Sequence, residues 1–347
     1  MRRQVEAMIS SLSSQQVFAI THASDVAAAR RAGQKLADSL DFDETRAGQL
    51  ALIITEAATN ILKHAGEGTL HIGAAQSVAG AGVDVLAVDA GPGIPDLATC
   101  LVDGVSTAGT AGTGLGALRR LSDEFDVYSA RDKGAAFFMR LWRDSPAPDP
   151  CAVEVGALWQ ALAGEDECGD GWAVACDPAG ATLLAVDGLG HGPDAARAAT
   201  AAIGTLERSP AGSAQELVKH AHQALRLTRG AALAGARIDF GTDELRFAGI
   251  GNIAGWVIDD AGRRALVSHN GIVGHNMRKV QEFALPFAPG ALCVLHSDGI
   301  QTQWDLDKYP GLQSRTPALV AAILMRDFIR RRDDAMVLVV RRNWGTP

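Results

Sequence analysis

The sequence predicts two α/β domains in series, and three observations carry that prediction. At 347 residues the chain is long enough for two ordinary domains, and 47% hydrophobic residues suffice for two sizeable cores. A polar stretch with three prolines, RDSPAPDP over 143–150, interrupts it. Such a stretch resists helix formation and favours an extended spacer. On either side of it, the counts of expected strands and helices are compatible with an α/β domain. The expected domains are therefore 1–142 and 151–347, joined by a linker over 143–150.

The elements follow in order. A short strand is expected over 17–20. Ser24 or Asp25 is placed to cap a helix reaching Leu40, and Asp43 to cap a second one, with Glu44 in its first turn. In the second helix Leu50, Ile53, Ile54, Ala57, Ala58, Ile61 and Leu62 form an apolar stripe. Glu56, Asn60 and His64 recur every four residues and stack along one face beside it. Such a row is either a solvated face or the wall of a cleft. Strands over 69–75 and 83–89 follow, the second running into Asp89-Ala90-Gly91-Pro92-Gly93-Ile94. Next comes AGTAGTGLGALRRL over 108–121, whose glycines let backbone N–H groups approach phosphates closely. A helix beginning near Leu115 presents its positive end to the same place. The ordered set Glu56, Asn60, DAGPGI and GTGLG favours the cleft wall.

Beyond the linker, strands are expected over 152–158 and 172–176, the second preceded by EDECGDG. The stretch LLAVDGLGHGPDAARAA over 183–199 is an apolar run ending on Asp187, a glycine-rich turn, and an alanine-rich helix opened by Pro193. Helices are expected over 193–207, 213–228 and 317–328, and strands over 232–239, 244–249, 255–258, 264–267, 281–285 and 336–340. A further apolar run over 291–297 ends in Ser297-Asp298-Gly299. Acids thus stand at strand ends four times: Asp170, Asp187, Asp298, and Asp333 or Asp334. Clustered carboxylates repel one another unless a cation or a proton stabilises them. Oxygen ligands without accompanying His or Cys suit Mg²⁺ or Mn²⁺ better than Zn²⁺. His191 is read as a neighbour in the turn rather than a ligand.

The remaining composition excludes several classes. The net charge is −8 and no basic block is present, so nucleic-acid binding is not expected. No apolar run approaches the length of a membrane span, and MRRQVE is not followed by an apolar signal core, so no membrane contact and a cytoplasmic protein are expected. The five cysteines, Cys100, Cys151, Cys168, Cys176 and Cys293, show no paired spacing and are read as reduced.

The first half resembles the ATP-binding domain of the GHKL superfamily (HATPase, Bergerat fold) over about 15–142. The resemblance lies in TEAATNILKHAGEGTLHI, VDAGPGIPD, GVSTAGTAGTGLGALRRLSDEFDVYSARDKGAAF and the closing Leu141-Trp142. Within it, the stretch is most similar to the RsbT-type serine/threonine kinases of bacterial stress signalling. No helix with a phosphoacceptor histidine precedes the set, so a sensor histidine kinase is not expected. The resemblance implies a layer of helices over a mostly antiparallel sheet. It implies that Asn60 holds Mg²⁺ against the phosphates of ATP and that Glu56 is the base or orienting carboxylate for an incoming hydroxyl. Asp89 would accept from the adenine amino group. Gly91 and Gly93 would line its pocket, and Gly112, Gly114 and Gly116 would belong to the phosphate lid. One departure is Ala135-Ala136, where relatives often carry threonine after the glycine.

The second half resembles the SpoIIE-type metal-dependent serine/threonine phosphatases, in particular the RsbX type, over about 152–342. The matching stretches are CGDGWAV, LLAVDGLGHGPDAARAA, FAGIGN, VLHSDGI and RDDAMVLVV. The resemblance implies an α/β/β/α sandwich with two Mn²⁺ or Mg²⁺ ions. Asp187 would bridge them and the Gly188 carbonyl would bind one. Asp170, Asp298 and Asp333 would complete the shell, Asp333 being preferred to Asp334 as the first acid of its pair. Met336 stands where the family has threonine.

Both resemblances lead to one pathway. They imply a bifunctional regulator of a bacterial partner-switching or stressosome-like system. It would phosphorylate Ser or Thr on a STAS-domain protein, an anti-sigma antagonist or stressosome component, and hydrolyse the same phosphate. A downstream phosphatase or sigma-factor regulator is a second class of partner. The alternative is a first domain that binds ATP and captures a partner without transferring phosphate, fused to a phosphatase.

Overall fold

The computed structural model describes residues 8–11, 15–77, 80–97, 114–144 and 151–343. Gly112 and most of the expected linker lie outside these residues. The chain divides into two compact units: Ser13–Pro148 with Asp305–Arg326, and Met1–Leu12 with Asp149–Trp304 and Asp327–Pro347.

A strand β1 (Met8–Ser11), not anticipated from the sequence, opens the chain and belongs to the second unit. The first unit then begins with β2 (Gln16–Ile20), α1 (Ala23–Ser39) and α2 (Glu44–His64). Helix α1 starts earlier than expected. Asp25 is not its cap but lies in its first turn, where its carboxylate accepts the His22 N–H at 2.8 Å. Asp43 caps α2 as expected, accepting the Arg46 N–H at 2.7 Å. Strands β3 (Gly68–Ser77) and β4 (Gly80–Asp89), helix α3 (Gly114–Leu121), and strands β5 (Glu124–Ser129) and β6 (Ala135–Trp142) follow. The five strands pair in the order β2-β3-β4-β6-β5, all antiparallel. The α2 stripe Leu50, Ile53, Ile54, Ala57 and Ile61 is buried in one cluster with Leu70, Ile72, Val85, Phe137 and Met139 of the sheet. Each such aliphatic side chain removed from water contributes roughly 1.5–3 kcal/mol. That burial fixes the neighbouring row of α2, with Glu56 and Asn60, beside the stripe.

The second unit is a two-sheet sandwich. Its strands are β7 (Val153–Gln160), β8 (Asp170–Asp177), β9 (Gly180–Gly188), β10 (Ala231–Asp239), β11 (Glu244–Ile250), β12 (Ala254–Asp259), β13 (Gly262–Leu266), β14 (Phe283–Pro286), β15 (Leu292–His296) and β16 (Ala335–Arg342). One sheet has the order β1-β8-β9-β10-β11-β14 and the other β13-β12-β15-β16-β7. All pairings are antiparallel. The period-2 rule explains the layering. On β8, Trp172, Val174 and Cys176 enter the core between the sheets. The alternate residues Ala173 and Ala175 face a second core with Ala198, Ala199 and Ala202 of α4 (Pro193–Arg208) and Leu217 and Val218 of α5 (Ala214–Ala224). The helix expected over 213–228 ends at Ala224 and continues as a 3₁₀ turn, Leu225–Leu227.

The cysteine expectation is corrected. Cys151 and Cys176 are joined as a disulfide, with their Cα atoms 6.0 Å apart. They lie 25 residues apart in sequence and meet only because β7 and β8 belong to facing sheets, so spacing could not reveal them. Cys168 and Cys293 are free.

The segment Asp305–Arg326 belongs to the first unit although it follows β15 in the chain. It contains two 3₁₀ turns, Leu306–Lys308 and Leu312–Ser314, and most of α6 (Pro317–Phe328). From Pro317 to Met325 every side chain of α6 is buried, which suits a helix that is apolar all round.

Candidate functional site

In the first unit the expected nucleotide residues occupy the end of α2 and the end of β4. Glu56 and Asn60 lie one turn apart on α2, and both are partly exposed. The Asn60 side-chain amide nitrogen is nevertheless buried without a hydrogen-bond partner. A buried amide end left unpaired is costly, and it suits a polar ligand at that spot. Asp89 closes β4 and is 9% exposed. One carboxylate oxygen accepts the N–H of Gly91 at 2.9 Å and that of Ala135 at 3.2 Å. Burial pushes its pKa above the ordinary range; those two hydrogen bonds and the charges of Arg326 and His64 oppose the shift.

The Asp89 turn is held by close backbone packing. A side chain on Gly91 would meet Ala65, at the C-terminal cap of α2, at 2.7 Å. One on Gly93 would meet the Ala130 carbonyl at 2.2 Å. These two glycines therefore let the turn lie between α2 and the β5–β6 connection. Gly134, which sequence reasoning did not single out, is the tightest position. Its φ is +74°, and a Cβ there would lie 2.0 Å from the Asp89 carbonyl oxygen. Ala135 and Ala136, where relatives carry threonine, are both buried at the start of β6. Gly114 and Gly116 fall in the first turn of α3, and Gly112 lies outside the described residues.

In the second unit the acids gather at one end of the sandwich. Asp170 opens β8 and Asp187 is the last residue but one of β9, and the two stand directly opposite in the antiparallel register. Directly opposed like charges destabilise a ladder. Asp170 is 2% exposed, and one of its carboxylate oxygens has no partner. Burial, and then the charge of Asp187, push its pKa well up, while a hydrogen bond from Ser297 works against the shift. Asp187 is pushed to about 7 by burial, then by Asp298, Asp333 and Asp334. Asp298 is raised as well, by burial and then by Asp333. Its carboxylate accepts from the Asn252 side-chain amide at 2.7 Å. Gly188 sits so close to α4 that a Cβ would meet the Ala195 carbonyl at 2.4 Å, and its N–H donates to the Gly169 carbonyl at 3.0 Å.

The terminal pair separates by environment. Asp334 is 3% exposed, and its two oxygens accept the Leu162 and Gly169 N–H groups at 2.7 Å each. Asp333 is partly exposed and accepts the Asp334 N–H through one oxygen. Asp334 thus clamps the loop that leads into Asp170, and Asp333 keeps an oxygen for other use. His191 is exposed and pairs with Glu165 at 2.6 Å. Met336 lies in the core between the sheets, and its N–H donates to the Ser297 hydroxyl at 3.0 Å. Sequence reasoning missed Asp334, Asn252 and Ser297 as supports. The only signal was their place inside the RDDA, FAGIGN and HSDG motifs.

Three acids raised by burial and by neighbouring carboxylates, Asp170, Asp187 and Asp298, an unpaired buried carboxylate oxygen and an all-oxygen donor set fit hard divalent cations. Among the described residues no three His, Cys, Asp or Glu side chains are gathered closely enough to hold one ion as they stand. No helix among them is long and apolar enough to cross a membrane.

Comparison with known proteins agrees with both halves. The family described as histidine kinase-like ATPase domain matches residues 20–141, and stage II sporulation protein E (SpoIIE) matches 177–343. The serine/threonine-protein kinase RsbT of Bacillus subtilis (strain 168) is 36% identical over 118 residues, covering 34% of this chain and 89% of that protein. A chain solved in work on the bacterial stressosome, described as a modular system adapted to control secondary messenger signalling, is 32% identical with a TM-score of 0.52. It covers 55% of this chain and 99% of that one. RsbX solved with magnesium is 18% identical with a TM-score of 0.48, over 55% of this chain and 94% of that one. The chain belongs to the RsbT family of histidine kinase-like ATPase domains and joins to it a SpoIIE-type phosphatase domain.

Proposed function

We propose that this protein both writes and erases a phosphate on Ser or Thr of a STAS-domain protein in a bacterial partner-switching pathway. Residues 1–142 would serve as the kinase domain and 151–347 as the phosphatase domain, in the cytoplasm. The observation that carries the reading is the pairing of Asp170 with Asp187 at one sheet end, in a chain that over 118 other residues is 36% identical to a serine/threonine kinase.

In the kinase half, Asn60 would hold Mg²⁺ and the phosphates of ATP, and Asp89 would accept from the adenine amino group. Glu56, one turn before Asn60, would orient or deprotonate the incoming hydroxyl. Phosphoryl transfer needs mainly positioning and charge neutralisation, which this set supplies. In the phosphatase half, Asp187, the Gly188 carbonyl, Asp170, Asp298 and Asp333 would hold two Mn²⁺ or Mg²⁺ ions. Such ions, when bound, supply a nucleophilic water at neutral pH and neutralise the phosphate under attack. The chain's own part is to hold those oxygens in place: Asn252 orients Asp298, Ser297 donates to Asp170, and Asp334 fixes the loop at Gly169.

The test uses the full chain, a STAS-domain protein and γ-labelled ATP. Label should enter the partner and then decay. Asp187→Asn should let it accumulate, and Glu56→Ala should prevent its entry. If the intact chain never labels the partner but removes phosphate from the prephosphorylated form, the first domain is a binding module instead.

A further inference from the structure

Asp89 is held from an unexpected direction. Arg326, on α6, donates from its guanidinium to the Asp89 backbone carbonyl at 2.8 Å. More than two hundred residues separate them in sequence, yet both belong to the first unit. Two other anchors hold the segment that carries Arg326. The Thr316 N–H, at the start of α6, donates to Asp126 of β5 at 2.7 Å, and the Arg315 guanidinium donates to the other Asp126 oxygen at 3.2 Å. Lys133 donates to the Lys308 carbonyl at 2.9 Å and lies 5.1 Å from the centre of the Tyr309 ring. Lys133 directly precedes Gly134, whose backbone abuts the Asp89 carbonyl. All three anchors therefore fall on the structure that frames Asp89: its own carbonyl, the strand β5, and the β5–β6 turn.

We propose that Arg326 is a positioning residue for the adenine end of the ATP site, presented there by the segment Asp305–Arg326. The proposal rests on the reading that Asp89 accepts from the adenine amino group. Two physical effects follow from the geometry. The guanidinium fixes the peptide from which the Asp89 side chain springs, so the carboxylate oxygen left free by Gly91 and Ala135 keeps its direction. Its positive charge also favours the ionised, accepting form of a carboxylate that burial disfavours. Adenine has an amino group to donate at this position, whereas guanine presents a carbonyl there. Arg326 therefore bears on base selectivity rather than on phosphate affinity. In chain order this segment lies between Asp298 and Asp333, so the nucleotide site is completed by residues from within the phosphatase sequence.

The experiment measures Mg²⁺-ATP and Mg²⁺-GTP affinity calorimetrically on the full chain. Arg326→Ala should weaken ATP roughly tenfold and leave GTP unchanged, so the preference for ATP falls by the same factor. Arg326→Lys should recover part of the preference, and Asp126→Asn should lower it less than Arg326→Ala. If Arg326→Ala weakens both nucleotides equally or neither, the positioning role is wrong. Asp89→Asn separates the two readings. If it abolishes the preference while Arg326→Ala does not, Asp89 reads adenine without help from Arg326. If it leaves the preference intact, the assignment of Asp89 fails and the proposal fails with it. Should Arg326→Ala not fold, Arg326→Gln, which keeps a donor without the charge, replaces it in the same comparison.

Discussion

Replacing Asp187 by Asn should stabilise the metal-free protein while removing its phosphatase activity. The folded state raises the Asp187 pKa from 3.8 to about 7. Between those values the unfolded chain has released the proton and the folded chain still holds it. Stability therefore falls as pH rises across this window and levels off above pH 7. A shift of about three units corresponds to about 4 kcal/mol at the plateau. The side chain is partly exposed, so screening reduces this to about 2 kcal/mol. For a unit of this size that is a rise in Tm of roughly 4–8 °C for Asp187→Asn at pH 8. At pH 4, where the native carboxyl is protonated and resembles an amide, the difference should nearly vanish. The assay is thermal unfolding in EDTA at pH 4, 6 and 8, repeated with millimolar Mn²⁺. Cation should raise the Tm of the native protein strongly at pH 8, by mass action on the folded state, and that of the variant much less. An Asp187→Asn protein that is less stable than the native one in EDTA at pH 8 would falsify the account of strained acids awaiting a cation.

Four further outcomes follow from the same reasoning. Asp334→Ala leaves the Leu162 and Gly169 N–H groups without their acceptor, so it should destabilise by about 2–4 kcal/mol in urea unfolding and lower phosphatase turnover. Asp333→Ala should abolish turnover with little loss of stability. Gly134→Ala places a methyl group against the Asp89 carbonyl at a positive φ, and should weaken ATP binding in calorimetry more than Gly164→Ala, where nothing lies within 4 Å. His71, buried on β3, has its pKa lowered from 6.5 to about 4 by burial. Its contribution is intact above pH 6.5 and is lost as pH falls towards 4, by about 3 kcal/mol in full. Urea titrations of native protein and His71→Leu at pH 7.5 and 4.5 should show a smaller acid loss in the variant; equal losses would refute the assignment.

Much of this molecule is legible in the sequence because the relevant physics is local. The spacing of four places Glu56 and Asn60 on one face of α2, and the Leu50–Ile61 stripe decides which face stays away from the core. Alternation along β8 assigns Trp172 and Val174 to one core and Ala173 and Ala175 to another. Acid-glycine pairs closing apolar runs mark the strand ends at which Asp187 and Asp298 emerge. What the sequence could not decide depends on pairings between distant segments. The register that sets Asp170 opposite Asp187 is one, and the division of labour between Asp333 and Asp334 is another. The latter follows from which carboxylate meets the Leu162 and Gly169 N–H groups. The disulfide between Cys151 and Cys176, the addition of β1 to β8, and the seating of Asp305–Arg326 around Asp89 are of the same kind. Periodicity tells each side chain which way to face, but only the folded backbone determines what it will face.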